Sequence, residues 1–187
     1  TGPYADPERG MYQALGRLYG LPTFGLGGVT DAKVVDQQAA AEAALTLMAE
    51  TLLGGNLIHD LGYLESGLTF SFAQLALCDE MVGWIAAFVR APEVSEETLA
   101  LDVIESTGPD GNYLGTEHTL RHYRQAWSPS LFERDTYGAW EKKGATTLVE
   151  RANARVAEIL QEHRVEPLPQ STVEQLREIA RSAGVRG

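Results

Sequence analysis

The hydrophobic and polar positions in the first part of the chain predict a helix and two strands. Residues 8–19 follow a helical pattern, which Asp6 would cap and Gly20 would end. The apolar segment 22–26 is short and begins with proline, whose missing backbone donor is tolerated at the start of a strand. A second apolar segment, residues 57–61, predicts another buried strand.

The helix predicted between these strands, over residues 36–53, has a polar side and an apolar side. Its polar side chains recur every four residues and its apolar side chains lie opposite them (Gln38, Glu42, Thr46 and Glu50 against Ala41, Leu45, Met48 and Leu52). A strand, a helix and a strand joined by short turns form a βαβ unit. The two strands are therefore predicted to be parallel neighbours.

A third helix is predicted over residues 71–90, and it carries two apolar stripes. We expect it to be buried on two sides, against the strands and against the C-terminal half of the chain. Only helical patterns follow, at residues 95–106, 116–126, 145–163 and 171–183, the last with the capping-box spacing of Ser171 and Glu174. Because parallel sheets are buried on both faces, two strands predict the end of a larger α/β fold, doubly wound or barrel.

Composition and charge argue against some partners. The 187 residues are 44% hydrophobic and 22% charged, as in an ordinary globular protein. A net charge of −11 repels nucleic acid and anionic lipid. No apolar run approaches the ~20 residues that cross a bilayer, and no secretory signal opens the sequence, so neither nucleic acid nor a membrane is expected as a partner. The single cysteine, Cys78, fits a reducing cytosol, and we expect a cytoplasmic protein.

The segment GLGG, residues 25–28, stands where a strand leads towards a helix, and such a place can cradle a phosphate. It is neither GxGxxG nor a GK[ST] loop, so the phosphate signal is weak. Turns and close backbone packing also use glycine at a strand end.

The segment NLIHDLGYLESG places His59 near the end of the second strand. Since side chains alternate along a strand, His59 and Asp60 are predicted to point to opposite faces. The alternative to a functional role is a structural one, in which His59 lies in the core with its ring nitrogens hydrogen-bonded.

The segment GTEHTLRHYRQAW places His118 and His122 four residues apart, on one face of a predicted helix. That spacing can hold a metal ion, but a third ligand is not evident in the sequence. Exposure or an interface contact is the preferred interpretation, and no metal site is predicted. Cys78 lies among apolar residues and is expected in the core.

Three ordered stretches together resemble the C-terminal part of the trimethylamine methyltransferase family. They are GLGGVTDAKVVDQQAAAEAAL, GGNLIHDLGYLESGLTFSFAQL and GPDGNYLGTEHTLRHYRQAWSPSLFERDTYGAW, within about residues 21–140. The resemblance implies a (β/α)8 TIM barrel in a considerably longer chain. Residues 1–92 would form its last βα units, and residues 93–187 a helical extension packed on the barrel. It also implies methyl transfer from a methylated amine to the cobalt of a separate corrinoid protein.

Archaeal members of this family carry pyrrolysine in the barrel, at a position that aligns near Leu26. The sequence has only standard residues there, so it resembles the pyrrolysine-free branch, some members of which demethylate glycine betaine or related quaternary amines. A quaternary ammonium leaves as a neutral amine, whereas an unactivated tertiary amine would leave as an amide anion. We therefore expect a quaternary amine such as glycine betaine as the substrate, with residues 25–28 clearing space at the barrel mouth.

The resemblance and the strand positions together predict a site. His59 is the catalytic candidate, which would orient the substrate from the end of a barrel strand. Because a fixed cation is recognised by aromatic faces and carboxylates, Phe24, Asp31, Tyr63, Glu65 and Phe70 are substrate-binding candidates. The resemblance adds Leu26 and Gly27, which lie where the pyrrolysine position aligns. No tightly bound cofactor is predicted, since the methyl acceptor is the cob(I)alamin of a cognate corrinoid protein. A homo-oligomer is left open.

Two alternatives remain at this point. The chain could be a non-catalytic module that binds methylated amines or a corrinoid protein. It could also belong to a phosphate-dependent barrel enzyme that uses residues 25–28, although no cluster of basic residues lies nearby. The sequence opens without Met and is expected to be a fragment. In that case the apolar faces of its strands should be exposed or covered by another copy.

Overall fold

The computed structural model describes residues 7–184, with side chains from residue 10 onward, so the cap predicted at Asp6 lies outside the described residues. The chain forms two compact units that divide between Val156 and Ala157. The boundary proposed between residues 92 and 93 falls inside the first unit. The fold is helix-rich, with 58% of residues in helices, and it contains a small parallel sheet of two strands.

The elements follow one another in the order that the sequence pattern suggests, with some additions. The first part contains α1 (Pro7–Tyr19), β1 (Phe24–Leu26), α2 (Gln37–Leu53), β2 (Leu57–His59), β3 (Tyr63–Leu64), β4 (Thr69–Phe70) and α3 (Phe72–Val89). The later part contains α4 (Glu96–Leu99), α5 (Leu101–Thr107), α6 (Glu117–His122), α7 (Tyr137–Lys142), α8 (Leu148–Glu162) and α9 (Gln170–Ser182).

Strands β1 and β2 pair in parallel, as predicted, with Leu26 opposite His59. Each is three residues long, shorter than its predicted segment. Strands β3 and β4 form an antiparallel hairpin that the sequence pattern does not predict, because two-residue strands are too short to show alternation.

Helix α2 packs with its polar side inward, opposite to what its amphipathic pattern suggests. Thr46 and Glu50 are almost completely buried, whereas Leu45 and Leu52 are 58% and 65% exposed. The buried polar groups have partners: the Gly28 N–H donates to Thr46 Oγ1 at 3.1 Å, and a Gln13 side-chain N–H donates to Glu50 Oε2 at 3.0 Å. Since these hydrogen bonds offset the cost of burial, the polar side can face the strands.

The glycines of residues 25–28 let α2 approach the sheet closely. A Cβ on Gly25 would lie 2.2 Å from Glu50 Oε2, and one on Gly27 would lie 2.6 Å from Ile58 Cγ2. The missing side chains therefore make room for protein packing, and the expectation that they clear space for a substrate is wrong for these two positions.

Helix α3 is buried on two sides, as predicted. Cys78 is fully buried, its thiol lies 3.5 Å from the Gly28 carbonyl oxygen, and burial raises the thiol pKa to about 11. On the other side, Glu80 accepts hydrogen bonds from the backbone N–H groups of residues 130–132, and Trp84 stacks on Trp127. The helix is long and apolar enough to cross a membrane by composition alone. These contacts are instead those of a core helix.

The later helices match the predicted segments, with three differences. The segment predicted at 95–106 is two helices, because Ala100 adopts a left-handed conformation between them, with φ of 48°. Helix α7 was not predicted. Helix α9 begins at Gln170 without a side-chain cap, so the capping box of Ser171 and Glu174 is wrong. No strand forms among residues 90–184.

Candidate functional site

One face of the two-stranded sheet is covered by helices and the other face is open. Because side chains alternate along a strand, Gly25 and Ile58 lie on the covered face. The side chains of Phe24, Leu26 and Leu57 lie on the other face, where they are 67%, 40% and 52% exposed. The strands therefore expose an apolar face in this single chain, which is one of the two outcomes expected for a fragment.

His59 is the last residue of β2 on this open face. Its Nδ1 lies 2.8 Å from Asp60 Oδ1, and the edge of the Phe24 ring meets the imidazole with centroids 5.4 Å apart. The prediction that His59 and Asp60 point to opposite faces is wrong, because the strand ends at His59 and Asp60 turns to a φ of 74°. With its side chain 42% exposed, His59 is not a core histidine.

The His59–Asp60 pair sets the orientation of the imidazole. When Nδ1–H donates to the carboxylate, Nε2 carries the lone pair and acts as a hydrogen-bond acceptor or base. Among the described residues, no hydrogen bond to Nε2 is formed. The arrangement can therefore present one nitrogen of defined character to a small molecule on the open face.

The loop after β1 is fastened to the β3–β4 hairpin, so the segments that follow the two strands form one structure. The backbone N–H groups of Thr30, Ser66 and Glu65 donate to the carbonyl oxygens of Tyr63, Thr30 and Ala32, at 3.0–3.1 Å. These main-chain hydrogen bonds connect the segments that follow the carboxyl ends of β1 and β2.

Glu42 of α2 supports this loop from beneath. Its Oε2 accepts from the Thr30 hydroxyl at 2.6 Å and from the Asp31 N–H at 2.8 Å. Burial alone would raise the pKa of the Glu42 carboxyl, but hydrogen bonds from Thr30, Gln38 and Asp31 outweigh it and lower the pKa. The carboxylate stays charged at neutral pH and holds the loop.

The remaining predicted site residues lie on this loop and hairpin. The Asp31 carboxylate accepts from the Ser66 hydroxyl, and Glu65 Oε2 accepts from the Thr69 hydroxyl at 3.3 Å. The rings of Tyr63 and Phe70 meet edge to face at 5.6 Å. The predicted residues thus form two groups, one around His59 with Phe24 and Leu26, and one on the hairpin.

Gly27 and its neighbour Gly28 have their backbone donors occupied. The Gly27 N–H donates to the His59 carbonyl oxygen at 3.0 Å, and the Gly28 N–H donates to Thr46. A phosphate cradle needs free N–H groups, so this packing counts against the phosphate-dependent alternative. Gly27 adjoins His59 through its backbone only.

A second cluster lies away from the sheet, at α4 and α6. His118 and His122 stack with ring centroids 4.4 Å apart, and His122 Nε2 lies 2.9 Å from Glu97 Oε1. Arg121 pairs with the same carboxylate oxygen at 2.9 Å. Glu97 is the third potential ligand that the sequence did not reveal, because it comes from a separate segment.

The chain is similar in sequence to known proteins over most of its length. The family model described as trimethylamine methyltransferase (MTTB) matches residues 5–184. The chain belongs to the trimethylamine methyltransferase family. This confirms the resemblance found in the sequence, including the correspondence to a C-terminal portion of such proteins.

Curated relatives in the trimethylamine methyltransferase family carry two kinds of name. Trimethylamine methyltransferase MttB of Desulfitobacterium hafniense is 38% identical over 183 residues, which cover 96% of this chain and 37% of the relative. MttB of Methanosarcina thermophila is 35% identical over 90% of this chain and 36% of the relative. Glycine betaine methyltransferase of Desulfitobacterium hafniense strain Y51 is 37% identical over 78% of this chain and 31% of the relative. The chain thus spans about a third of the length of these relatives.

Proposed function

We propose that the protein containing this segment transfers a methyl group from a quaternary amine, glycine betaine or a close analogue, to the cobalt of a corrinoid protein. The family makes it a methylamine-type methyltransferase. The observation that carries the finer proposal is the His59–Asp60 pair beside Phe24, on the open face at the carboxyl end of β2. Barrel enzymes place their functional groups at that end of the strands.

The proposal includes the barrel itself. Strands β1 and β2 would be its last two strands, with α2 and α3 on the outside and the open face inside. The exposed Phe24, Leu26 and Leu57 support this arrangement, because a barrel interior would cover them. Strands that precede β1 would complete the sheet and supply the rest of the substrate site.

The residues of this chain would bind and orient the amine. The quaternary nitrogen has no N–H, so it is recognised by ring faces and negative charge, and each cation–π contact contributes about 0.5–2 kcal/mol. Phe24 on the strand face, and Tyr63 and Phe70 on the hairpin, are the aromatic candidates, with Asp31 and Glu65 as the carboxylates. Phe24 has the strongest claim because it contacts His59 and is 67% exposed.

The substrate charge follows from the leaving group. When a quaternary amine loses a methyl group, the electron pair of the broken N–C bond stays on nitrogen and gives a neutral tertiary amine. The reduced corrinoid of the partner protein supplies the nucleophile. His59 would orient the substrate through Nε2, for example by a water-mediated contact to the carboxylate of glycine betaine.

The experiment compares substrates in a protein of the full length of the relatives. Purified enzyme, cob(I)alamin and equal concentrations of glycine betaine and trimethylamine are mixed, and methylcobalamin is measured by absorbance. We expect product from the quaternary amine. Product from trimethylamine but from no quaternary amine would contradict the proposal. Binding of the amine without any methyl transfer would favour the non-catalytic module.

A further inference from the structure

We propose that Glu97, His118 and His122 bind a divalent transition metal ion, with Zn²⁺ the best match. One ligand atom from each residue lies within 4.8 Å of the other two. The proposed methyl transfer uses none of these residues, so this site is independent of that function. The ligand set joins α4 to α6, two segments that are otherwise separated by a helix and a long turn.

The two histidines present their Nε2 atoms towards Glu97. His118 Nε2 lies 2.8 Å from the Glu97 carbonyl oxygen, and His122 Nε2 lies 2.9 Å from Glu97 Oε1. In a tetrahedral zinc site with metal–ligand distances of about 2.0–2.2 Å, ligand atoms lie roughly 3.3 Å apart. The ligand atoms lie within 4.8 Å of one another, and the Glu97 side chain is 49% exposed, so rotation of this side chain can shorten the separation towards that spacing.

The surroundings of His122 match those of a metal-binding imidazole. Its Nδ1 lies 3.0 Å from Gln125 Oε1, and when Nδ1–H donates to this amide oxygen, Nε2 is left to the ligand side. A metal-bound histidine usually donates its other ring N–H to such an acceptor.

Arg121 makes the site weaker than a purely anionic one, but it does not block it. Its Nη1 lies 2.9 Å from Glu97 Oε1. A carboxylate has two oxygens, so the guanidinium can move to Oε2 while Oε1 binds the metal. Ligating carboxylates are commonly hydrogen-bonded in this way.

Zn²⁺ follows from the ligand types. Two imidazole nitrogens and one carboxylate oxygen suit a borderline ion, and three protein ligands leave a fourth position for water. Because the ligands come from two helices, the bound ion would tie α4 to α6. Metal binding to the folded chain is therefore expected to raise its melting temperature.

The test measures metal binding by a protein of the full length of the relatives after removal of metals with a chelator. Zn²⁺ is titrated in competition with a chromophoric chelator, and Co²⁺ is followed by its visible absorption. We expect one ion per chain. His118→Ala and His122→Ala should each weaken binding by about 100-fold or more, because each removes a ligand and not merely its support. His163→Ala is the matched control, since it removes an exposed histidine from another helix end and should change nothing.

Glu97→Gln separates ligation from folding. It keeps the size of the side chain and should weaken Zn²⁺ binding at least tenfold, while the far-ultraviolet circular dichroism stays unchanged. Three outcomes would overturn the proposal. The wild type could bind Zn²⁺ no more tightly than the His118→Ala/His122→Ala double variant, or Glu97→Gln could bind it as tightly as the wild type. His163→Ala could also lose as much affinity as His118→Ala or His122→Ala, which would indicate adventitious binding only.

Discussion

Two histidine–carboxylate pairs of nearly the same length stand in two different regions of the molecule. In the first, Asp60 lies 2.8 Å from His59 on a strand end held by buried packing. In the second, Glu97 lies 2.9 Å from His122 on an exposed helix, with Arg121 on the same carboxylate oxygen. The N–O distance is alike, so it does not decide what either pair does.

The surroundings of each pair make the difference. His59 has one carboxylate partner and one aromatic neighbour, which leaves one ring nitrogen open towards a site for a small cation. His122 has hydrogen-bond partners on both ring nitrogens, and the ring of a second histidine lies beside it. Its Nε2 therefore lies in a cluster of several possible ligand atoms. The first arrangement suits the orientation of a substrate, and the second suits a shared proton or metal ion.

The largest expected effect comes from removing the imidazole of the first pair. His59→Ala in the full-length protein should lower kcat/KM for methyl transfer by on the order of 100-fold, because the side chain that orients the substrate is lost. Methylcobalamin formation measures it, with His163→Ala as the control. Unchanged kinetics in a folded variant would make His59 a structural residue and would remove the contrast with His122.

The next prediction tests whether the backbone near His59 is packed more tightly than the backbone near His122. Gly25→Ala places a Cβ 2.2 Å from Glu50 Oε2 beneath the strand face, so it should destabilise the chain by about 1–3 kcal/mol. Gly115→Ala, just before α6, meets no atom within 4 Å and should cost almost nothing. Urea unfolding measures both variants. Equal stability of the two would show that the sheet tolerates the added group.

The elements around the two pairs also show what could and could not be predicted from the sequence. Helices α2 and α3 and the parallel strands follow from long periodic patterns and are confirmed. The side of α2 that faces the core was predicted wrongly, because polar residues such as Thr46 and Glu50 are usually exposed to solvent. Their buried hydrogen-bond partners come from other elements, which the helical pattern does not reveal. Glu97 was missed for a related reason, since only the fold brings it to His122. Family resemblance located His59, but neither pattern nor resemblance indicated the turn at Asp60.

A smaller effect is expected from the partner of His59. Asp60→Asn keeps a residue type that tolerates the φ of 74°, but it removes the charge that orients the imidazole. We expect kcat/KM to fall about tenfold, the lower end of the range for residues that support a functional group. Since Asp60 is proposed to act through His59, the double variant His59→Ala/Asp60→Asn should be no slower than His59→Ala alone. Additive losses would show that Asp60 acts independently of His59.

The smallest effect concerns the pH dependence of the exposed pair, measured on metal-free protein. The hydrogen bond to Glu97, and a second to Gln125, raise the pKa of His122 above its usual value. The hydrogen bond from His122 and the charge of Arg121 lower the pKa of the Glu97 carboxyl. His122 therefore contributes stability that is present below its unfolded pKa and is lost as pH rises through its folded pKa. Glu97 contributes stability that is lost as pH falls through its lowered pKa, so the pair stabilises the chain in the mildly acidic window between them.

The comparison of wild type with His122→Ala measures this window. The difference in melting temperature should be largest near pH 5–6 and should shrink towards pH 8, and it should be small throughout because the pair is exposed and screened by salt. Raising the salt concentration should reduce it further, since the Debye length falls to about 3 Å at 1 M salt. The positive charge of Arg121 opposes protonation of His122. A difference that grows with pH would therefore mean that this charge outweighs Glu97, and that the second pair is no ion pair in solution.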